Sequence, residues 1–161
     1  MTLINLSING RKKSLAVEED DLLVDVLRTK LGLQGVKKAC GEGECGSCTV
    51  ILDGKAVNSC LVLAATVDGA KITTIEGLGY PGNLHPIQQA FIDGGAVQCG
   101  YCTPGMVLSA KALLDGNPQP GEEAIREAIA GNLCRCTGYH KIVSSILKAS
   151  EYLRKNSDVT G

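Results

Sequence analysis

The sequence predicts an α+β fold in which a β-grasp domain is followed by a four-helix bundle. Strand patterns, with apolar residues at every second position and Asn-Gly or Asp-Gly turns between them, occur only in the first half of the chain. The second half shows apolar residues at helical spacing, interrupted by proline and glycine. Between them, residues 76–84 are rich in Gly, Pro and Asn, so the predicted domains are 1–78 and 79–161.

The predicted sheet consists of short strands joined by tight turns. Ile4, Leu6 and Ile8 alternate with polar residues in the first strand, as in a sheet with one buried face. Asn9-Gly10 and Asp53-Gly54 are residue pairs that favour two-residue hairpins. The predicted strands are 2–8, 11–17, 49–52, 56–59 and 71–75.

One helix is expected inside the first domain and four in the second. Asp20 or Asp21 is expected to cap a helix that runs to about Leu31, where Gly32 can end it. Thr103-Pro104 has the residue types of an N-cap followed by the first helical position. The helices predicted in the second domain are 86–91, 103–114, 122–130 and 139–153, followed by a frayed tail over 155–161.

Four cysteines lie within a short glycine-rich stretch after the first helix. They are spaced C-x4-C-x2-C, with eleven residues between the third and the fourth, and the first three match the spacing of plant-type [2Fe-2S] ferredoxins. Gly41, Gly43 and Gly46 allow the loop to turn backbone N–H groups toward an anionic cluster. The predicted ligands are Cys40, Cys45, Cys48 and Cys60.

The other four cysteines form a second predicted metal site in the helical domain. Cys99 and Cys102 form a CxxC before the second helix of the bundle, and Cys134 and Cys136 form a CxC before the fourth. If both helices start at the same end, their N-termini direct partial positive charge toward one anionic cluster. A structural zinc also accepts four thiolates, and the spacing alone does not separate it from a second iron-sulfur cluster.

Composition and charge exclude several classes of protein. The 161 residues carry a formal net charge of −1, which provides no basic field for nucleic acid. No apolar run approaches the length of a membrane span, and the first ten residues show no export signal. Eight cysteines in such a chain then indicate metal binding in a reducing compartment, so we expect a cytoplasmic protein.

Three segments resemble the iron-sulfur subunit of the molybdenum hydroxylases, the family of xanthine dehydrogenase, aldehyde oxidase and carbon monoxide dehydrogenase. They are GEGECGSC, QCGYCTPGM and NLCRCTGY, and the resemblance extends over nearly the whole chain, from Leu3 to Leu153. It implies that the first cysteine set holds an outer [2Fe-2S] cluster near FAD. The second set would hold an inner [2Fe-2S] cluster beside the molybdopterin that carries molybdenum.

The resemblance also implies partners and two further cofactor contacts. A large molybdopterin-binding subunit and a medium FAD-binding subunit would complete a heterotrimer or a dimer of heterotrimers. Gln98 matches the glutamine that hydrogen-bonds the pterin, and Cys136 matches the ligand whose sulfur lies near the pterin amino group. His85 and His140 are expected to be structural or solvated.

The function implied is electron transfer, with no catalytic residue in this chain. No nucleophile-base set, pair of catalytic carboxylates or phosphate-binding loop is visible in the sequence. A free ferredoxin-like carrier and a zinc-stabilised interaction module are the alternatives. The resemblance implies that the large subunit selects the substrate of the complete enzyme.

Overall fold

The first domain is built on a five-stranded mixed sheet. The strands of this computed structural model, which describes residues 1–159, are β1 (Thr2–Ile8), β2 (Arg11–Val17), β3 (Thr49–Leu52), β4 (Lys55–Asn58) and β5 (Lys71–Thr73). Their order across the sheet is β2-β1-β5-β3-β4. Only the β1–β5 pair is parallel, and the other neighbours are antiparallel. The predicted α+β class with a ferredoxin-like first domain is confirmed.

Both predicted hairpin turns are present. Asn9 and Gly10 have φ values of 50° and 77°, and Asp53 and Gly54 have φ values of 47° and 84°. Two successive positive φ angles give the turn whose twist matches that of the strands it joins. The second hairpin returns the chain toward the cysteine-rich loop, and a short 3-10 turn over Ser59–Leu61 follows it.

The helix of the first domain begins later than predicted and is not capped by an aspartate. Helix α1 (Leu23–Asp25) continues as a π-helical turn over Val26–Lys30, and its N-cap residue Leu22 makes no side-chain capping bond. Asp21 instead accepts hydrogen bonds from the Lys30 ammonium at 2.6 Å and from the Glu18 N–H at 2.9 Å. Both bonds lower the pKa of the Asp21 carboxyl, and the bond from Lys30 has the larger effect. Gly32, with φ 69°, follows the helical segment as expected.

The second domain contains the four predicted helices. They are α2 (Pro86–Asp93), α3 (Thr103–Gly116), α4 (Glu122–Ala128) and α5 (His140–Val159). The N-cap of α3 is Cys102, one residue earlier than predicted. The predicted tail was wrong over 155–159, which continue α5, and its last two residues lie outside the described part of the chain.

His85 has a structural role at the start of α2. Its Nδ1 accepts a hydrogen bond from the Ile87 N–H at 3.2 Å, while the Gln88 side chain accepts one from the His85 N–H at 2.9 Å. Burial lowers the pKa of His85, with the nearby Lys111 charge acting in the same direction. The neutral imidazole is the form that can accept this capping bond.

Each half of the chain has its own apolar core. Ile75 and Leu78 already pack against the second core, so the chain crosses from one core to the other after β5. The boundary after Leu78 stays a prediction. No helix among the described residues is long and apolar enough to cross a membrane. The cores are centred on Ile4, Leu6, Leu23, Leu27 and Ile72 in the first half and on Phe91, Met106, Ile125, Ile142 and Ile146 in the second.

Candidate metal centres

The four cysteines of the first domain converge at the end of the β3–β4 hairpin. Ser59, which follows β4, donates its N–H at 3.3 Å and its hydroxyl at 2.7 Å to the Cys48 carbonyl. This contact brings Cys60 beside Cys48, and both side chains are buried. The thiols lie in two neighbouring pairs, Cys40 with Cys45 and Cys48 with Cys60. We call this set the outer site.

Backbone donors and burial act in opposite directions on the outer thiols. The Glu42 N–H lies 3.4 Å from Cys40 Sγ and lowers the pKa of this thiol to about 7, with the Cys45 thiol acting in the same direction. Burial raises the pKa of Cys48 to about 11. Gly41, Gly43 and Gly46 all have positive φ, as the loop prediction required. The loop therefore offers an N–H donor at the exposed Cys40, whereas the buried Cys48 and Cys60 are shielded from water.

The four cysteines of the second domain also converge as two pairs. Cys99 is paired with Cys136, and Cys102 with Cys134, although more than thirty positions separate the CxxC from the CxC. Cys102 is the N-cap of α3, so the start of this helix adjoins the cysteines. Gly138 and Tyr139, both with positive φ, turn the chain between the CxC and α5. We call this set the inner site.

The inner thiols differ strongly in their surroundings. Burial raises the pKa of Cys102 to about 12. Burial also opposes ionisation of Cys134, but hydrogen bonds from the Thr137 hydroxyl at 3.1 Å and the Thr137 N–H at 3.4 Å outweigh it and lower the pKa of Cys134. The neighbouring Cys99 thiol raises the pKa of Cys136. Thr137 therefore stabilises negative charge on one sulfur of this site.

The donor set of each site fits a two-iron cluster. All eight cysteines are free thiols, and soft thiolate ligands suit iron-sulfur clusters. A [2Fe-2S] cluster takes four thiolates, two on each iron, and each site presents two pairs. Among the described residues, no three Cys, His, Asp or Glu side chains are arranged to hold one single ion. A cluster is wider than one ion, so its ligands need not converge so closely.

The inner site is open at one end, where the remaining predicted residues lie. Cys99 and Cys136 are exposed, as is Gln98, the residue matched to the pterin contact. Arg135 and His140 are exposed on the same segment as the CxC. Exposed apolar side chains occur beside the cysteines, namely Val97, Tyr101 and Leu133.

The two sites are joined by residues that the sequence patterns did not single out. The Leu133 N–H donates to the Cys45 carbonyl at 2.9 Å, and the Tyr101 hydroxyl donates to the Lys38 carbonyl at 3.0 Å. The buried side chain of Asn132 donates to the Gly46 carbonyl at 3.0 Å. Their closeness to a cysteine in the sequence could have identified them, because each of these inner-site residues lies within two positions of a cysteine.

Comparison with known proteins assigns both halves of the chain to iron-sulfur families. Residues 6–73 match the model of the 2Fe-2S iron-sulfur cluster binding domain, and residues 74–147 match that of the [2Fe-2S] binding domain. The nicotinate dehydrogenase small FeS subunit of Eubacterium barkeri is 52% identical over 148 residues, which cover 92% of this chain and 94% of that protein.

Solved structures of similar fold occur both as separate chains and inside longer ones. Quinoline 2-oxidoreductase from Pseudomonas putida 86 has a chain that matches with a TM-score of 0.91 and 42% identity, over 96% of both chains. The aldehyde oxidoreductase of Desulfovibrio desulfuricans matches with a TM-score of 0.94 and 49% identity, over 96% of this chain but 17% of that one. The same fold thus occurs as a separate subunit and as part of a larger polypeptide.

Proposed function

Because this chain belongs to the family of iron-sulfur small subunits of the molybdenum hydroxylases, we propose that its eight cysteines ligate two [2Fe-2S] clusters. The chain is the electron-transfer subunit of an oxidoreductase. The observation that carries the assignment of ligands is the convergence of the thiols into two sets of four, each divided into two pairs. The proposed outer ligands are Cys40, Cys45, Cys48 and Cys60, and the proposed inner ligands are Cys99, Cys102, Cys134 and Cys136.

The chain's own residues hold the sulfurs, shield them and set their charge. A bound [2Fe-2S] cluster supplies one-electron transfer, at a potential that depends on hydrogen bonds to sulfur and on exclusion of water. The N–H of Glu42 donates to Cys40 Sγ, and the hydroxyl of Thr137 lies 3.1 Å from Cys134 Sγ. Burial of Cys48 keeps water from one face of the outer site. The two hydrogen bonds stabilise the thiolate form that metal ligation requires, whereas burial acts in the opposite direction.

The two ligand loops contact each other directly. The Leu133 N–H precedes the ligand Cys134 and donates to the carbonyl of the ligand Cys45. One hydrogen bond therefore links the backbone of an outer ligand to the residue directly before an inner ligand. The chain places the two proposed sites next to each other, which is what a relay of single electrons requires.

We propose that a large molybdopterin-binding subunit covers the open end of the inner site and that a medium FAD-binding subunit lies near the outer site. Exposed apolar side chains beside exposed ligands support this, because such surfaces mark interaction sites. Gln98 and Cys136 would face the pterin, while the exposed side chain of Leu61, next to Cys60 and close to Gly43, borders the outer site. The assembly would be a heterotrimer or a pair of heterotrimers. Relatives are named for nicotinate, quinoline and aldehyde, so the proposal leaves the substrate to the large subunit.

A cytoplasmic location is part of the proposal. Every cysteine is a free thiol in the structure, and dense free thiols used as metal ligands are typical of reducing compartments. Each site would lose its ligands if its thiols paired as disulfides.

Affinity purification of the tagged chain from its native cells should recover two larger chains together with molybdenum and flavin. The double variant Val97→Glu, Leu133→Glu should reduce recovery of the molybdenum chain at least tenfold, because two carboxylates would be desolvated at the interface. The control is Ile92→Glu, since Ile92 is as exposed as Leu133, at 57%, but lies on α2. Elution of the wild-type chain as a lone monomer carrying both clusters would instead indicate a free electron carrier.

A further inference from the structure

Asn132 is a buried amide whose hydrogen-bonding capacity is filled by three elements of the fold. Its side chain is 5% exposed. Nδ2 donates to the Gly46 carbonyl at 3.0 Å and to the Thr49 hydroxyl at 3.2 Å, while Oδ1 accepts from the Ser109 hydroxyl at 2.8 Å. An amide has two donor hydrogens and one acceptor oxygen, so this arrangement uses each of its polar groups.

The partners of Asn132 place it between the two sites. Gly46 directly follows Cys45, while Asn132 lies two positions before Cys134. Ser109 belongs to α3, whose N-cap is Cys102. A single side chain therefore connects the outer ligand loop, the inner ligand loop and the helix that starts at the inner site.

The surrounding backbone is packed too closely for this connection to be replaced easily. A Cβ on Gly46 would lie 2.6 Å from Asn132 Nδ2, and a Cβ on Gly105 would collide with the Gly46 carbonyl oxygen. The Thr49 hydroxyl also donates to the Gly46 carbonyl, at 2.7 Å. A buried amide partner that is left unpaired is costly.

We propose that Asn132 is a positioning residue that fixes the separation between the inner and the outer cluster. It lies outside both ligand sets and acts through Gly46 and Ser109. The inference rests on the proposed function, because it requires both sites to hold clusters. In the described part of the chain, two other hydrogen bonds link the loops, those of the Leu133 N–H and the Tyr101 hydroxyl, and neither is a buried side-chain contact. Removal of the amide should therefore leave the domains attached but no longer in one fixed arrangement.

The chemistry of the contact makes conservative substitutions informative. Asn132→Asp preserves the size of the side chain but sets a carboxylate oxygen against the Gly46 carbonyl, so two acceptors would face each other. Ser109→Ala keeps both donor bonds of Asn132 and removes the hydrogen bond to Oδ1. Asn132→Ala removes all three hydrogen bonds.

Pulsed EPR on the purified holo-chain with both clusters reduced measures the dipolar coupling between them. The wild type should give one narrow coupling. Asn132→Ala and Asn132→Asp should broaden it and shift it to smaller values, with iron per chain unchanged, and Ser109→Ala should broaden it less. Asn58→Ala is the matched control, because Asn58 Nδ2 donates to the Gly43 carbonyl at 2.8 Å within the first domain. Its coupling should stay narrow.

Two results overturn the positioning role. One is an unchanged coupling in the Asn132 variants with full iron content. The other is loss of iron in Asn132→Ala and Asn132→Asp together with a wild-type coupling in Ser109→Ala, since Asn132 would then serve folding alone. If the wild-type chain contains no paramagnetic clusters after reduction, the proposed function fails instead.

Discussion

Replacement of Cys136 by alanine should remove the inner cluster and leave the outer one in place. The inner site would keep three thiols, one fewer than a [2Fe-2S] cluster requires, and the lost ligand belongs to the exposed pair with Cys99. The outer site is built from residues 40–60 on a separate apolar core, so it should survive. Iron should fall from about four to about two atoms per chain. Turnover of the assembled enzyme should stop.

Iron analysis and EPR of the reduced protein check this expectation. Arg135→Ala is the matched control, since Arg135 lies between Cys134 and Cys136 and its exposed side chain ligates no metal, so both EPR signals should remain. Cys60→Ala should show the opposite pattern and lose the outer signal. Full activity of Cys136→Ala with both signals intact would exclude Cys136 as a necessary ligand.

Gly46→Ala should destabilise the protein more than any other glycine substitution in a turn of the first domain. Gly46 has φ 68°, a conformation that costs an L-residue roughly 1–2 kcal/mol. The added Cβ would also press into the backbone of Gly131 and against Asn132. Two of the three nearest atoms belong to the backbone of the opposing domain, and the third is the amide nitrogen of the buried Asn132 side chain. We expect a loss of about 3 kcal/mol or more in the free energy of unfolding.

Gly54→Ala separates the two contributions to that loss. Gly54 has φ 84° in the β3–β4 turn, and a Cβ there would meet no atom within 4 Å. Gly54→Ala should therefore lower the free energy of unfolding only by the cost of a positive φ in an L-residue, roughly 1–2 kcal/mol. Denaturant unfolding of both holo-variants measures the difference. Equal losses would mean that the contact between the domains at Gly46 contributes nothing to stability.

The strands could be predicted closely because their signals are local. Alternating apolar residues and the Asn9-Gly10 pair predicted β1 and β2 at their observed bounds. Helix ends were less predictable, since they depend on tertiary contacts. Asp21 had the residue type of a cap but instead binds Lys30, and α5 continues beyond the predicted end at Leu153.

The candidate sites were partly visible in the sequence for a similar reason. Cysteine spacing grouped the thiols into the two sets that the structure brings together. The contact between the sets was not visible, because Asn132 and Gly46 are 86 positions apart. An asparagine shows no periodicity and no ligand spacing, so its role depends on how the two domains pack. The division of each set into pairs likewise emerges only in three dimensions.

Iron and acid-labile sulfide per chain test the central claim most directly. In protein purified without oxygen, both should be about four, with zinc well below one atom per chain. The corresponding ultraviolet-visible spectrum should show the charge-transfer absorption of ferric clusters. Zinc at one or two atoms per chain with no sulfide, or a disulfide between any two of the eight cysteines in that material, would contradict the assignment of two iron-sulfur sites.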